Sequence, residues 1–251
     1  MGLTNQFTGP GAIKEMFQVQ VNAPGDLVIA LAGNPNTGKS TVFNGLTGLN
    51  QHTGNWPGKT VTSAQGKYTH KGKNFILVDL PGTYSLLANS AEEEVARDFI
   101  CFGRPDATVV VTDATCLERN LNMVLQVIEI TDNVVVCVNL LDEAERKQIH
   151  VDLHKLSMLL GVPVVGTNAR GGVGLEELKD TVYKVATGEL KTNPIKISYD
   201  AVVDDLLPLL EPYIKEKIKN KIKSRWVALR LIEGDKTILD SLKIYLGIEM
   251  R

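Results

Sequence analysis

Eight residues constrain this chain more than any others: Gly33-Asn34-Pro35-Asn36-Thr37-Gly38-Lys39-Ser40. An apolar run, Leu27 to Ala32, precedes them, and Thr41-Val42-Phe43-Asn44-Gly45-Leu46 follows with the start of an amphipathic helix. Strand, glycine-rich loop and helix is the setting of a phosphate-binding loop. The backbone N–H groups of such a loop point inward at phosphate oxygens, and the helix N-terminus adds a favourable partial charge. Gly33 and Gly38 let the chain turn tightly and approach the anion without a Cβ in the way. Lys39 brings a point charge to the outer phosphates, and Ser40 brings a hydroxyl to Mg²⁺. Asn34 to Thr37, with Thr41 at the helix start, complete the expected phosphate cradle.

The totals are those of an ordinary soluble protein: 251 residues, 43% hydrophobic, 22% charged, formal net charge -2. The near-neutral balance argues against nucleic acid as a main partner. Three widely spaced cysteines, Cys101, Cys116 and Cys137, fit a reducing compartment rather than a disulfide framework. Cys137, inside Val134 to Val138, reads as a packed thiol. No apolar stretch approaches the ~18 residues of a membrane-spanning helix. Residues 1–25 lack the charged start and apolar block of a secretory signal. The chain is therefore expected to be soluble and cytosolic.

Residues 1–25 carry Gly9-Pro10-Gly11 and Pro24-Gly25 and read as a weakly structured extension, with a short strand or helix around Ile13 to Val21. From Leu27 strands and helices alternate. The expected strands are 27–32, 61–70, 74–79, 107–112, 133–139 and 163–167; the expected helices are 39–47, 91–101, 118–130, 143–160 and 174–187. The turn Lys71-Gly72-Lys73 makes 61–70 and 74–79 a hairpin, while runs such as Thr108 to Val111 suit buried parallel strands. Residues 26–190 thus read as a doubly wound α/β domain with a mostly parallel six-stranded sheet. Residues 191–251 show helical spacing without strand signals and read as a small all-α domain, in which Pro208 and Pro212 should kink or split the first helix.

Three further motifs fall at expected strand ends, where ligands of such folds bind. Asp79-Leu80-Pro81-Gly82 puts a carboxylate within reach of Mg²⁺ through water, and the Gly82 N–H meets the γ-phosphate. Asn139-Leu140-Leu141-Asp142 offers a carboxylate that accepts from guanine N1–H and its exocyclic amine; adenine has neither donor there. Asn168-Ala169-Arg170 places backbone N–H groups against guanine O6. Between loop and hairpin, Gln51 to Thr60 reads as a mobile segment. Thr60 gives its hydroxyl to Mg²⁺ and its N–H to the γ-phosphate only while that phosphate is present, the logic of an order–disorder switch. Trp56 in this segment suits either a docking surface or simple packing. Glu92-Glu93-Glu94 reads as support for a helix N-terminus, and His150 and His154, four apart, as a solvated helix face.

In this order the motifs match the small GTPase superfamily. Gly33 to Asn36, Gly54-Asn55-Trp56-Pro57-Gly58-Lys59-Thr60-Val61, Asp79 to Ser85, and Arg225-Trp226-Val227-Ala228-Leu229-Arg230-Leu231-Ile232-Glu233-Gly234-Asp235 narrow the likeness. The chain resembles the GTPase and helical domains of ferrous iron transport protein B, FeoB, over about 27 to 246. The resemblance implies a P-loop GTPase domain with Lys39, Thr60 and Asn36 serving hydrolysis, followed by a helical domain that slows GDP release. It also implies a place on the cytoplasmic face of the bacterial inner membrane, with the membrane-spanning part of the same transporter as partner and that part outside this chain. Homo-oligomer formation is left open. Asn36 matches the position that ligates K⁺ in related cation-dependent GTPases.

The alternative, a soluble GTPase of ribosome assembly or tRNA modification, needs a basic RNA-binding appendage, whereas the tail has mixed charge. Two residues depart from common patterns: Asn168 stands where the family usually has Ser, and Leu140 replaces the Lys of most GTPases. Weak affinity and fast GDP exchange are therefore expected. Thr83 occupies the place of a water-orienting Gln and is too short for that task, so hydrolysis should be slow. The Asn36 assignment predicts faster GTP hydrolysis in K⁺ than in Na⁺, with Asn36→Ala abolishing the difference. Equal wild-type rates in the two salts would rule out a cation role.

Overall fold

A computed structural model describes residues 16–48 and 51–250. The apolar run before the glycine-rich loop is strand β1 (Leu27–Gly33), and α1 (Lys39–Thr47) follows the loop directly. Then come β2 (Gln51–Asn55), β3 (Thr62–His70), β4 (Lys73–Asp79) and α2 (Ala91–Asp98). Next are β5 (Ala107–Asp113), α3 (Leu117–Ile130), β6 (Val134–Asn139), α4 (Leu141–Arg146), α5 (Leu153–Leu160), β7 (Val164–Gly166) and α6 (Leu175–Ala186). Three helices close the chain: α7 (Ala201–Ile218), α8 (Ser224–Ile232) and α9 (Thr237–Leu246).

The sheet has seven strands in the order β2-β3-β4-β1-β5-β6-β7, parallel from β4 to β7 and antiparallel at the β2-β3-β4 edge. The seventh strand corrects the expected count. Residues 51–55, read as a mobile segment, pair with 62–66 instead. Their polar, glycine-containing sequence hides a strand because an edge strand needs only backbone pairing, not two apolar faces.

Other differences are equally local. The expected helix 143–160 is two helices: Gln148 adopts a left-handed backbone and Asp152 caps α5 by accepting the Lys155 N–H at 2.9 Å. His150 lies in the break, so it and His154 do not share a helix face. The expected helix 91–101 gives way to a wider π-type turn at Phe99–Gly103. Pro208 and Pro212 do not split α7; both face solvent, while Leu207, Ile214 and Ile218 on the opposite side are buried and hold the helix together.

Residues 1–15, including the first part of the element expected around 13–21, lie outside the described residues. Residues 16–25 are not a loose extension. Phe17 and Val19 are buried, and the Gln65 amide accepts the Gln20 N–H and donates to the Gln18 carbonyl, both at 3.0 Å.

One apolar layer lies between the sheet and α1 and α6, with Val42, Phe43, Leu46, Leu178 and Val182 at its centre. The other face carries α2 and α3, and there the core runs without a break into Leu207, Trp226, Val227 and Leu242 of the last three helices. A polar knot lies within this layer. The Arg97 guanidinium, fully buried, donates to Asp98 at 2.7 and 2.9 Å, to Thr237 Oγ1 at 2.5 Å and to Ser241 Oγ at 2.8 Å. Asp235 stands at 3.5 Å. A helix that follows the Asp79-Gly82 segment is thereby tied to α9.

Removing one member of a buried charge cluster leaves its partner uncompensated, which costs about 3–5 kcal/mol. Arg97→Met should lower the urea unfolding free energy by that amount. A loss below about 1 kcal/mol, the scale of a surface ion pair, would show that the knot is solvated.

Candidate nucleotide site

The parallel register sets the site. Leu31 pairs with Asp79, Gly33 with Val111, Asp113 with Asn139 and Val138 with Gly166. The carboxyl ends of β1, β4, β5, β6 and β7 therefore finish at one level, and Gly33 to Ser40, Asp79 to Thr83, Asn139 to Asp142 and Asn168 to Arg170 gather there.

The loop from Gly33 to Gly38 is held from within and from below. Thr37 Oγ1 donates to the Asn34 carbonyl at 3.0 Å. Asn36 has a left-handed backbone, φ 67°, which Asn tolerates better than most residues, and its side chain is exposed. Gly38, φ 79°, opens α1; a Cβ there would run into the Asn139 side-chain amide. Ser40 and Thr41 are exposed on the first turn.

Lys39 Nζ forms an ion pair with Asp79 Oδ1 and donates to the Leu80 carbonyl at 2.6 Å. Burial raises the Asp79 carboxyl above its usual range, and the Lys39 ammonium partly offsets this. A Cβ on Gly82 would meet Pro35 Cα at 3.4 Å, and the Thr83 N–H donates to the Gly33 carbonyl at 3.4 Å, so the Asp79–Thr83 segment lies against the loop. The Asn34 Oδ1 and Thr83 Oγ1 atoms are buried with no hydrogen-bond partner among the described residues. Nothing in the sequence marks that pair, because burial of both depends on how the two segments meet.

Asn139 joins three loops. Its Nδ2 donates to the Thr37 carbonyl at 3.0 Å, and its Oδ1 accepts from Thr167 Oγ1 at 3.0 Å and from the Ala169 N–H at 3.1 Å. The Ala169 N–H expected to face guanine O6 is thus engaged with Asn139, and Arg170 supplies the next N–H of that turn. The Asn168 carbonyl-type side-chain oxygen accepts the Gly171 N–H at 3.2 Å and caps the turn.

Leu140, φ 62°, turns the chain so that Asp142 falls in the first turn of α4. One Asp142 oxygen accepts from Arg146 at 3.1 Å; the other, Oδ1, is buried and has no donor among the described residues. Thr60 is exposed, just before β3, at the sheet end where Ala64 pairs with Asp79. The fold brings it to the correct end, but no hydrogen bond joins it to Lys39, Ser40 or Asp79. Beside it Lys59 pairs with Glu94 of α2 at 2.7 Å.

Trp56 is not exposed. It lies in the core against Phe99, with ring centroids 5.4 Å apart, and against Phe17 at 6.3 Å. Phe17 in turn stacks on Tyr245 of α9 at 5.2 Å. The three cysteines stand outside this site. Cys137 is buried, its thiol pushed up to about 12 by desolvation. Among the described residues no three His, Cys, Asp or Glu side chains converge on a metal position, and no helix is long and apolar enough to cross a membrane.

The family model of ferrous iron transport protein B matches residues 27–182, and that of the FeoB cytosolic helical domain matches 199–249. The chain belongs to the FeoB family. An Fe(2+) transporter FeoB of Methanocaldococcus jannaschii is 43% identical over 224 residues, which cover 86% of this chain and 32% of that relative. A Porphyromonas gingivalis Fe(2+) transport protein A/Fe(2+) transporter FeoB fusion protein is 38% identical over 232 residues, 89% of this chain and 27% of the relative. This chain therefore spans about a third or less of these relatives.

The crystal structure of the cytosolic domain of T. maritima FeoB in a GDP form is 36% identical with a TM-score of 0.80, covering 91% of this chain and 89% of that one. The GMPPNP form has the same identity and TM-score, covering 86% and 85%. The chain is thus a FeoB P-loop GTPase domain followed by the all-α domain.

Two glycines of the FeoB loop region separate a steric role from a conformational one. Gly38→Ala should push the Asn139 amide off Thr37 and weaken GDP binding at least ten-fold while the far-ultraviolet spectrum is unchanged. Gly48→Ala, also at positive φ but with open space around it, should cost about 1 kcal/mol of stability and leave GDP affinity alone. Equal GDP affinities in the two variants would remove Asn139 from the design.

Proposed function

We propose that this chain binds GTP and GDP, hydrolyses GTP slowly, and acts as the nucleotide-dependent regulatory part of a ferrous iron transporter at the cytoplasmic face of the bacterial inner membrane. The observation that carries the base assignment is Asp142 Oδ1. The Asp142 side chain is 41% exposed, yet no group among the described residues donates to Oδ1, and native structures leave few such oxygens without reason. Guanine N1–H and the exocyclic amine would supply the donors; adenine would leave the oxygen unpaired. The Arg170 N–H lies on the loop that would face guanine O6. Support for the phosphate assignment comes from T. maritima FeoB, whose solved forms carry GDP and GMPPNP.

In this reading the N–H groups of Asn34 to Thr41 hold the phosphates. Lys39 leaves Asp79 for the outer phosphate oxygens, so one cation serves as internal counter-ion and then as ligand. Ser40, Thr60 and Asp79 form an all-oxygen donor set that suits Mg²⁺, which would neutralise charge on the outer phosphates. The exposed Asn36 amide oxygen, on the loop, suits K⁺. Thr83 is buried and points no longer side chain at an attacking water, which fits slow turnover.

The same elements can report the nucleotide state. The segment that would close on the γ-phosphate contains Trp56 and Lys59. Trp56 reaches Tyr245 through Phe17, and Lys59 holds Glu94 on α2, which carries Arg97. A shift of either segment is felt by α9 without any new contact, and α9 would pass it to the membrane-spanning part of the transporter.

Isothermal titration with GDP and ADP tests the base assignment. Loss of two hydrogen bonds to a charged group should weaken GDP binding to Asp142→Ala by about 3 kcal/mol, ~100-fold, with ADP binding unchanged. ADP binding as tight as GDP binding to the unaltered chain would end this reading.

A further inference from the structure

Asp106 precedes β5 and Asn133 precedes β6, so both mark the amino ends of the parallel strands, at the opposite edge of the sheet from Gly33 to Ser40. There the turn between α7 and α8 stands against Arg104, and a cavity of about 560 Å³ opens between the two domains. The turn is strongly basic. Residues 215–225 read Lys-Glu-Lys-Ile-Lys-Asn-Lys-Ile-Lys-Ser-Arg, six cations against one carboxylate, in a tail otherwise of mixed charge.

Part of that charge is neutralised. Lys223 pairs with Asp132 at 2.7 Å and donates to the Ile128 carbonyl at 2.8 Å. Arg225 turns away to the Ile197 carbonyl, Asp204 and Glu211. Asp106, the other acid of the cavity, accepts the Val28 N–H at 2.7 Å and keeps its negative charge. Arg104, Lys215 and Lys221 remain. All three line the cavity, and none has an ion pair among the described residues.

These three cations, set against the single charge of Asp106, leave the cleft net positive and concentrate anions there. The cavity is also where α8 begins. Its N-cap, Lys223, makes no side-chain hydrogen bond to the helix's first N–H groups, its first turn has no acid, and Ser224 lines the cavity wall. Backbone N–H groups at that end add to the positive field. A guanidinium, two flexible ammonium groups and open N–H donors match a tetrahedral, multiply charged oxyanion better than a single carboxylate.

We propose that this inter-domain cleft binds a phosphate group, at the pole of the molecule remote from the nucleotide, with Arg104, Lys215 and Lys221 as its ligands. A phosphate there would bridge the end of the π-type turn and the α7–α8 turn, fixing the helical domain against the sheet. The headgroup of an anionic phospholipid and a soluble phosphate share this chemistry.

The test uses the full chain with excess GDP and Mg²⁺ and compares it with Lys215→Gln/Lys221→Gln. Both lysines are far from the P-loop, so the difference between the proteins reports the cleft whether or not GDP binds. One arm is co-sedimentation with vesicles of phosphatidylcholine alone or with one-third phosphatidylglycerol. The other is titration with inorganic pyrophosphate, followed by amide shifts of Lys221 and Ser224. Binding is expected in one arm, weakened about five-fold for each lysine removed, the worth of one basic side chain at an anionic surface, and falling as salt rises.

Retention on phosphatidylglycerol vesicles without pyrophosphate shifts assigns the cleft to a lipid headgroup; the reverse assigns it to a soluble phosphate. No binding in either arm, or binding that the double variant retains in full at an unchanged melting temperature, overturns the proposal.

Discussion

The side-chain amide of Asn139 makes separate strand ends into one site. It is 1% exposed and holds the carbonyl of Thr37, the hydroxyl of Thr167 and the N–H of Ala169. These belong to the loops after β1 and β7, while Asn139 itself ends β6. A side chain with one donor end and one acceptor end is required, because the phosphate loop presents a carbonyl and the far loop presents donors. Asp would repel the carbonyl; Leu would leave all three groups unpaired in the interior. The parallel register brings the ends to one level, but this amide fixes their spacing.

Much of this was legible in the sequence because it rests on short, ordered motifs. The strand-loop-helix reading of 27–47, the carboxylate at Asp79 and the strand-end position of Asp142 follow from spacing alone. The boundaries of β1, β4, β5 and β6 came within a residue or so because buried parallel strands are continuous apolar runs. What stayed hidden depended on partners distant in sequence. β2 is polar and pairs only by backbone. Trp56 was open to docking or packing, and Phe17, nearly forty residues earlier, with Phe99 decides for packing. Ala169 was read as a base contact because nothing in its own segment shows that Asn139 reaches its N–H. The basic turn after α7 went unremarked inside a tail read as mixed in charge, and its meaning depends on Arg104, which only the fold brings across to it.

The two routes to α9 differ in physical character. The Arg97 knot is a set of charged hydrogen bonds in a dry layer, and such a set has few geometries that satisfy every member. It behaves as a rigid coupling: α2 and α9 move together or the knot breaks at a cost of several kcal/mol. The aromatic route through Trp56, Phe17 and Tyr245 is made of edge and stacked contacts, each worth about 0.5–1.5 kcal/mol beyond burial. It can slip and re-form. On the proposed function, a segment that changes with nucleotide state would sit on the second kind of contact, and a helix that transmits that change on the first.

On the proposed reading, the energy scale of this switch can be bounded. Truncating a well-packed Trp typically costs about 3–5 kcal/mol, but Trp56 Nε1 is buried without an acceptor among the described residues, a defect of about 1–3 kcal/mol. The half-exposed Lys59–Glu94 pair adds at most about 1 kcal/mol. Holding the 56–60 segment in this arrangement is therefore worth a few kcal/mol, not ten. Two contacts from Thr60, one to a phosphate and one through its hydroxyl, are worth about as much when charged groups accept or share them. Inverting a two-state equilibrium from one part in a hundred takes about 5.5 kcal/mol. The unpaired indole N–H lowers the hold of this pocket, so that contacts to a γ-phosphate would compete with it on the same scale.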